Sequence, residues 1–546
     1  MTTVLSLKLT KAMVLIKEAS KEKLRGGFYT PRDIADFMLK WAINGNREMD
    51  ILEPSCGDGI FLQLIREKQI SYNSVTAIEF DEVEYQKALS IELDNAHLIN
   101  DDFHNYCLNT EDRFDLIIGN PPYIRYQYFS KEQQELAEQI FKNSNLKYSK
   151  LTNAWVSFVV GSSQLLKEKG KIAFVLPAEV LQVSYAQQLR EFLSHFYNKI
   201  NIVSFEKLVF PEIQQEVVLL LCEKNGTDSH KIEHLELRNA DALKNLDISK
   251  LKNPQKRIDF KSNKWTFYFL DQDEIDFLEE LQDSTKVPKI GKYANVEVGI
   301  TTGSNPFFTV PLSTVQFYNL EKYAKPLVGR SVQVPSLVFT EEDWQKNRDS
   351  QARTHLLTFP KMQDLNGSIG ARDYLEFGVE QEINKGYKCG IREEWQIIPS
   401  LKISEALFIR RNHLYPKLII NEADAYTTDT MHRVNTKKGT NLNSFVASYY
   451  NSLSFAFAEI SGRSHGGGVL ELMPSEVENI LLPYHETNTE LIETIDKMIR
   501  ANKSIDSILE ITNKKILIDN YGFSKNDVDL ADRIWKKLSS RRLNRN

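Results

Sequence analysis

Short apolar runs alternate with helical patterns along the first part of the chain, up to about residue 225. Four of these runs predict buried strands because each is bounded by polar residues: 50–52, 75–78, 97–99 and 114–118. After the first of them, residues 61–67 are predicted to form a helix, and further helices are predicted at 153–166 and 184–195. This alternation predicts an α/β domain with a mostly parallel sheet.

The alternation continues past the fourth strand and then weakens. A strand is predicted at 171–176, and strands at 200–205 and 216–222 fit an antiparallel hairpin at one edge of the sheet. Residues 225–264 have the composition of a connector with room for one strand. Beyond them come mostly short strands and loops, and then helices, the last of them at 525–538. The 546-residue chain is therefore expected to hold two domains, 1–245 and 246–546.

The first strand is followed by a glycine-rich loop, Glu53-Pro54-Ser55-Cys56-Gly57-Asp58-Gly59, and then by a helix. Strand, glycine loop and helix form the nucleotide-binding first unit of a doubly wound sheet. A dinucleotide fingerprint needs a glycine where the chain has Leu62, so NAD is disfavoured. The Glu53 carboxylate suits a cationic ligand with an amine, such as the sulfonium and amino acid of S-adenosylmethionine, better than it suits a pyrophosphate.

Polar and aromatic residues also follow the next two strands. Glu79 ends the second strand and lies where Rossmann-like sheets bind ribose hydroxyls. The third strand is followed by Asp101, Asp102 and Phe103, and a carboxylate beside an aromatic ring can bind the amine of adenine and cover its face. Because ligand sites of open α/β sheets lie at the carboxyl ends of the strands, these residues predict one shared site.

The fourth strand ends in the turn Asn120-Pro121-Pro122-Tyr123. Two consecutive prolines cannot continue a strand ladder, so the chain leaves the sheet in a rigid turn. The Asn120 amide and the Pro121 carbonyl are two acceptors beside the Tyr123 ring, which suits a planar group that carries an NH2. A purely structural Pro-Pro turn is the alternative. Phe210 is a candidate second aromatic face, or a residue that packs on its own hairpin.

Composition is that of a globular protein, with 42% hydrophobic and 26% charged residues. No apolar run is long enough to cross a membrane. The N-terminus, with Val4, Leu7 and Ile16 among its apolar positions, predicts an amphipathic helix and lacks the features of a signal peptide. The four cysteines are too scattered for a disulfide framework or a zinc site. We expect a cytoplasmic protein that binds no membrane and no metal.

The net charge of −6 does not favour nucleic acid, but such binding depends on local basic faces. The last fourteen residues hold six Lys and Arg and no acid. They form either a phosphate-contacting tail or a solvated, frayed end. Basic stretches with aromatic residues or glycines cluster in the second half and predict a recognition domain: 385–395, 410–412 and 463–468.

Five motifs, in this order, resemble the N6-adenine DNA methyltransferases of the gamma class: FYTP (28–31), EPSCGDG (53–59), IEFD (78–81), NDDF (100–103) and GNPPY (119–123). Stretches 298–308 and 462–474 look like target-recognition segments of restriction-modification methyltransferases. The resemblance implies a Rossmann-like class I methyltransferase sheet with helices on both faces, plus a C-terminal mixed α+β target-recognition domain.

The resemblance also implies a role for each matching residue. Around the cofactor S-adenosylmethionine it places Thr30 and Pro31 near the methionine part, Glu53, Cys56 and Gly57 in the pocket, Glu79 on the ribose, and Asp102 and Phe103 at the adenine. We choose Asp102 over Asp101 because it directly precedes Phe103. Around the target adenine it places Asn120 and Pro121 on the amine, with Tyr123 and Phe210 as stacking residues.

The implied reaction is site-specific methyl transfer from S-adenosylmethionine to N6 of a flipped-out adenine in double-stranded DNA. The protein would be the modification component of a restriction-modification system. We expect a monomer, with a separate cognate endonuclease as its candidate partner. The alternatives are a methyltransferase that acts on RNA adenine or protein glutamine, and a non-catalytic DNA-specificity subunit.

Overall fold

The computed structural model describes residues 29–43, 48–124, 128–149, 152–210, 216–226, 230–246, 256, 264–365 and 367–544. The predicted N-terminal helix and Phe28 lie outside them. The chain forms two compact units, one up to Phe269 and one from Leu270 to Asn544. The first unit extends past residue 245 because Trp265–Phe269 packs against its last strand, where the rings of His234 and Phe269 lie 4.5 Å apart.

The described part of the first unit contains eight strands and seven α-helices. The strands are β1 (Asp50–Glu53), β2 (Ser74–Glu79), β3 (Ala96–Asn100), β4 (Phe114–Gly119), β5 (Leu166–Pro177), β6 (Lys199–Phe205), β7 (Val217–Glu223) and β8 (Lys231–Leu237). The helices are α1 (Arg32–Ala42), α2 (Ile60–Glu67), α3 (Glu82–Leu89), α4 (Phe103–Asn109), α5 (Lys131–Asn143), α6 (Ala154–Gln164) and α7 (Gln187–Phe196). All eight strands form one sheet in the order β3-β2-β1-β4-β5-β7-β6-β8.

Every strand of this sheet runs parallel to its neighbours except β7, which is antiparallel to both β5 and β6. The predicted pairing of β6 with β7 is confirmed, but its placement at the edge of the sheet is wrong. The edge strand is β8, which runs parallel to β6 from Lys231 to Leu237. Only Ile232 of β8 is fully buried, so the strand lacks the clear alternation that would predict it.

The helices of the first unit form two groups. Helices α1, α2 and α3 share a hydrophobic cluster with sheet residues such as Ile51, Val75 and Leu116. Helices α4, α5 and α6 pack on one another. Gly161 allows α4 to approach α6, because a Cβ atom there would lie 3.1 Å from Cys107 Sγ. The predicted class, a Rossmann-like sheet with helices on both faces, is confirmed.

A lysine joins the amino-terminal ends of β1 and β4. Lys167 Nζ lies 2.6 Å from Asp50 Oδ2 and 2.8 Å from Asp115 Oδ2. Asp50 Oδ1 also accepts hydrogen bonds from the side chains of Asn73 and Ser74, at 2.6 and 2.8 Å. The hydrogen bond from Lys167 lowers the pKa of Asp50. The carboxylates at this end of the sheet therefore have partners within the protein.

The second unit contains three smaller sheets and mostly short helices. The strands are β9 (Ala294–Val298), β10 (Thr309–Val310), β11 (Ala324–Val328), β12 (Val338–Phe339), β13 (His355–Leu357), β14 (Ala406–Ile409), β15 (Arg411–Asn412), β16 (Leu418–Asn421), β17 (Tyr426–Thr427), β18 (Met431–Thr436), β19 (Arg463–His465) and β20 (Val469–Glu471). The sheet orders are β10-β13-β11-β17, β12-β16-β14-β18-β9 and β15-β20-β19. This mixture of strands and helices agrees with the predicted α+β character.

The helices of the second unit are α8 (Gln272–Asp283), α9 (Ile290–Tyr293), α10 (Asn305–Phe308), α11 (Leu312–Phe317), α12 (Glu341–Asp349), α13 (Ile369–Glu380), α14 (Tyr387–Gly390), α15 (Leu442–Tyr449), α16 (Ser452–Ser461), α17 (Pro474–Glu478), α18 (Ile492–Arg500), α19 (Ile505–Thr512) and α20 (Lys525–Leu543). A π-helical stretch, Asn513–Asn520, continues α19. Over all the residues described, no helix has the length and apolar character that a membrane crossing requires.

The basic C-terminal stretch is mostly helical rather than frayed, because α20 extends to Leu543. Arg533 and Lys537 both pair with Glu274, and Lys536 pairs with Asp532. Arg542 is buried and forms two hydrogen bonds to the Glu459 carboxylate. Internal ion pairs therefore engage four of the six basic side chains of this stretch.

Candidate active site

Four adjacent strand ends bring the predicted site residues together. In the sheet, β3, β2, β1 and β4 are neighbours and run parallel. Glu53 and Glu79 end β1 and β2, while Asp102 and Asn120 follow β3 and β4. All four residues therefore lie along the carboxyl edge of the sheet, where open α/β sheets bind their ligands.

The glycine loop after β1 is tied to the end of β2. The Gly57 N–H donates a hydrogen bond of 2.8 Å to Glu79 Oε2, and the Asp81 N–H donates one of 2.8 Å to Glu79 Oε1. Gly57 has φ of +53° and no atom within 4 Å of an added Cβ, so open space borders the loop there. At Gly59, by contrast, a Cβ would lie 2.3 Å from the Ile91 side chain.

Glu53 is a buried carboxylate with no cationic partner among the residues that the structure describes. Its residue is 2% exposed, and Oε2 has no hydrogen-bond partner among the described residues. Burial, with the nearby charges of Glu79 and Asp58, raises the pKa of Glu53 well above its ordinary value. An unpaired acceptor beside the open space at Gly57 fits a ligand with an ammonium or sulfonium group, so these residues fit S-adenosylmethionine.

Asp102 is held from two sides. It caps α4 by accepting the His104 N–H at Oδ1, which also lies 2.7 Å from His104 Nδ1. The Gln133 side chain donates to Oδ2 at 2.9 Å. Burial opposes ionisation of Asp102, yet the bonds from His104 and Gln133 keep its pKa below its ordinary value. Asp101 accepts from the Asp102 N–H and from Asn105.

Two aromatic residues at this edge differ in exposure. Phe103 is 2% exposed, and its ring stacks on Phe158 at 4.8 Å, within the packing of α4 and α6. Phe80, directly after Glu79, is 68% exposed. Sequence reasoning missed Phe80 as a ring that can cover a ligand, although an aromatic residue immediately after a strand end was the available signal.

The turn after β4 is anchored on both sides. Ser55 Oγ donates a hydrogen bond of 3.2 Å to the main-chain oxygen of Asn120. The Tyr123 hydroxyl donates to the main-chain oxygen of Val175 on β5, at 3.2 Å, and its ring packs against the cluster that contains Phe210. Phe210 is 8% exposed. Both predicted stacking residues thus belong to one cluster, and their stacking stays a prediction.

The remaining predicted residues lie in the same unit. Thr30 is buried, and the Pro31 carbonyl accepts the first backbone hydrogen bonds of α1. Cys56 is buried as well, and its N–H donates to the Ile78 carbonyl at 2.9 Å, which fixes the loop against β2. Burial raises the pKa of the Cys56 thiol, so this residue has the character of a pocket wall rather than of a nucleophile.

Two family models match the chain. The Eco57I restriction-modification methylase family matches residues 5–210, which contain the glycine loop and the turn after β4. The family of the C-terminal domain of Type II methyltransferase M.Eco57I matches residues 262–517, nearly all of them in the second unit. The two matches lie one after the other, in the order of the two units.

Individual proteins are similar over different lengths. Type II methyltransferase M.AccI from Acinetobacter calcoaceticus is 26% identical over 91% of this chain and 94% of its own length. Type II methyltransferase M.HincII from Haemophilus influenzae is 29% identical over 43% of this chain and 44% of its own length. A nuclease-deletion mutant of the Type ISP restriction-modification enzyme LlaGI, solved in complex with a DNA substrate mimic, has a TM-score of 0.53 at 13% identity. The match covers 90% of this chain and 56% of the LlaGI chain, and it shows a likeness of fold alone.

Proposed function

We propose that this chain, a DNA methyltransferase of the restriction-modification type, transfers a methyl group from S-adenosylmethionine to N6 of adenine in double-stranded DNA. The observation that carries the proposal is the row of four strand ends, with Glu53, Glu79 and Asp102 beside the turn at Asn120. The first three suit the cofactor and the turn suits an amine.

On the cofactor side, each carboxylate has a distinct task. Glu53 is an unpaired buried acceptor for the cationic methionine end, and Glu79, fixed by the Gly57 N–H, accepts from the ribose hydroxyls. Asp102 accepts from the adenine amine. We assign the covering of the adenine ring to the exposed Phe80 in preference to the buried Phe103. Bound S-adenosylmethionine supplies an activated methyl group on its sulfonium.

On the target side, the turn activates a weak nucleophile. The lone pair of the adenine amine is delocalised into the ring, so the amine must be drawn toward tetrahedral geometry before it can attack. We assign this task to two acceptors, the Asn120 side-chain oxygen and the Pro121 carbonyl, which would also stabilise the positive charge that develops on nitrogen. Tyr123 and Phe210 would stack on the base after it leaves the duplex, which costs a few kcal/mol.

The test is methyl transfer from isotopically labelled S-adenosylmethionine to DNA, RNA and protein in parallel reactions. The DNA is then digested to nucleosides and the label is identified by mass spectrometry. We expect labelled N6-methyladenine from DNA. Label in RNA or in protein glutamine would support the enzymatic alternatives. The specificity-subunit alternative would be supported if calorimetry detected DNA binding but no binding of S-adenosylmethionine.

We further propose that the protein modifies DNA as the partner of a separate cognate endonuclease. DNA isolated from a host that expresses the chain should resist that endonuclease, while DNA from a host that expresses Asn120→Ala should be cleaved. Equal cleavage of the two DNA samples would contradict the partnership.

A further inference from the structure

The small sheet of β15, β20 and β19 joins two basic stretches of the second unit. Arg411 of β15 and Arg463 of β19 both lie directly across from Glu471 of β20. Side chains that are directly opposite on neighbouring strands lie on the same face, so these three residues form one row. His465, two positions after Arg463, returns to this face.

The other face of the small sheet packs inward. Leu470 lies across from Asn412 and from Ser464, and both Leu470 and Asn412 are buried. Because residues alternate between the two faces of a strand, the burial of Leu470 fixes the arginine row on the opposite face.

Glu471 is the shared acceptor of the row. Its Oε1 lies 3.0 Å from the Nε atoms of both Arg410 and Arg411, and its Oε2 lies 3.0 Å from His465 Nε2. The hydrogen bond from His465, together with the two arginines, lowers the pKa of Glu471 to about 2. One ionised carboxylate thus faces two guanidinium groups, which leaves positive charge on this face.

Arg411 presents its remaining donors to solvent. Its side chain is 68% exposed, and Glu471 holds it through Nε. No residue in the described ranges accepts a hydrogen bond from Nη1 or Nη2 of Arg411, whereas Arg410 also donates through Nη1 to the Asp429 carbonyl. A guanidinium fixed at Nε offers two parallel N–H donors in a planar fork.

Buried Arg542 holds two of the three strands that carry this row. Its Nη1 donates to the carbonyl of His413, just after β15, and to the carbonyl of Gly468, just before β20. Its Nε and Nη2 donate to Glu459, at 3.0 and 2.6 Å. The arginine fork is therefore preorganised by the protein rather than ordered by its ligand.

From this geometry we propose that the row around Glu471 is a DNA-contact site in which Arg411 makes the contact. The ligand is a pair of acceptors spaced for a guanidinium fork, either O6 and N7 of guanine or two oxygens of a phosphodiester. The inference deepens the proposed function, on which it rests for DNA as the substrate.

Two variants of Arg411 separate the two ligands. Arg411→Lys keeps the charge but loses the fork, and Arg411→Gln loses both. DNA from hosts that express each protein is sequenced for methylated positions. The purified proteins are titrated by fluorescence anisotropy against a mixed-sequence duplex over a series of salt concentrations. Neither substitution leaves Glu471 unpaired, because Arg410 and His465 still contact it.

If Arg411 reads guanine, Arg411→Lys keeps its affinity for the mixed-sequence duplex but methylates additional sequences that differ at one position. If it contacts phosphate, Arg411→Lys keeps the methylated sequence, while Arg411→Gln binds all DNA about tenfold more weakly, with a salt slope reduced by about 1. The matched control is Arg372→Gln, an exposed arginine on α13, which should match the wild type.

Wild-type affinity, salt slope and methylated sequence in Arg411→Gln would overturn the inference. Failure of the proposed function has a different signature. If the wild-type protein forms no N6-methyladenine but binds the duplex in an Arg411-dependent way, the assigned reaction fails while the DNA-contact site stands.

Discussion

The two ends of strand β1 carry carboxylates in opposite circumstances. Asp50, at the amino end, contacts Lys167 and accepts from Asn73 and Ser74. Glu53, at the carboxyl end, is buried with Glu79 and Asp58 as its charged neighbours, and one oxygen has no hydrogen-bond partner in the described part of the chain. The carboxylate at the amino end of this strand therefore has partners within the protein, and the one at the carboxyl end is available to a ligand.

Structural and functional carboxylates of this sheet differ in whether they have a partner and in the direction of their pKa shift. A paired carboxylate such as Asp50 stabilises the fold, and its pKa is lowered. An unpaired buried carboxylate such as Glu53 costs stability unless it is protonated, and its pKa is raised. Perturbed buried carboxylates of this kind cluster at functional sites, which supports our proposal that the carboxyl edge binds the cofactor.

The largest effect is expected from Asn120→Ala at the carboxyl edge. Loss of one of two acceptors for the developing charge should lower kcat by about 100- to 1000-fold, while cofactor affinity stays the same. The matched control is Asn73→Ala at the amino edge, which should keep full kcat. Labelled methyl transfer measures both variants. Full activity in Asn120→Ala would refute the role of the turn.

A smaller effect is expected from Glu53→Gln, which removes the unpaired charge. Cofactor affinity should fall about 30-fold or more, because the cationic methionine end loses its counter-charge, and the free protein should become more stable. Asp50→Asn should instead lower the unfolding free energy by about 1 to 2 kcal/mol and leave the cofactor affinity unchanged. Calorimetric titration and urea unfolding test the pair. Equal losses of cofactor affinity in the two variants would contradict the assignment of different roles to Glu53 and Asp50.

Lys167→Met removes the cation that joins Asp50 and Asp115 at the amino end. Asp50 and Asp115 would then lose their shared contact with the Lys167 ammonium, so the unfolding free energy should fall by about 1 to 2 kcal/mol. The measurement is urea unfolding of the free protein, with KM for the cofactor as the second readout. A change in KM without a loss of stability would show that the two ends are not independent.

The smallest effect is on the pH dependence of stability, and it has opposite signs at the two ends. The pKa of Asp50 is below its ordinary 3.8, so its contribution is full above that pH and is lost as pH falls through the lowered pKa. The pKa of Glu53 is above its ordinary 4.5, so stability falls as pH rises from 4.5 through the raised pKa. The measurement is unfolding of both variants over pH 3 to 8, about the range in which carboxylates titrate. Asp50→Asn should lack the loss of stability at low pH, and Glu53→Gln should lack the loss of stability as pH rises.

The strand-end site could be predicted because buried parallel strands leave a strong apolar signal. Each of β1 to β4 is a short apolar run, and the residue types that follow it are visible in the sequence. The solvent exposure of the aromatic side chains at this edge could not be predicted from the apolar runs. Phe103 turns into the packing of α4 and α6, while Phe80 faces solvent, and this difference depends on the position of α6, a helix far along the chain.

Pairings across long sequence separations account for the other errors. The edge strand β8 has a single fully buried residue, so its position beside β6 follows from the completed sheet rather than from its own pattern. The basic end of the chain has the composition of a solvated tail. Its acidic partners, such as Glu274 and Glu459, are distant in sequence and meet it only after the second unit folds.

The hydrogen bond between Gln133 and Asp102 makes a distant, exposed serine relevant to the pocket. Gln133 is also the capping-box partner of Ser130, with its Oε1 accepting the Ser130 N–H while its Nε2 holds Asp102. The Ser130 hydroxyl accepts the Gln133 N–H at 3.1 Å, so its loss would loosen the first turn of α5, which positions the Gln133 side chain. Substitutions at Ser130, which lies outside the five motifs, should therefore impair cofactor binding. A mutational screen restricted to the motifs would miss this position.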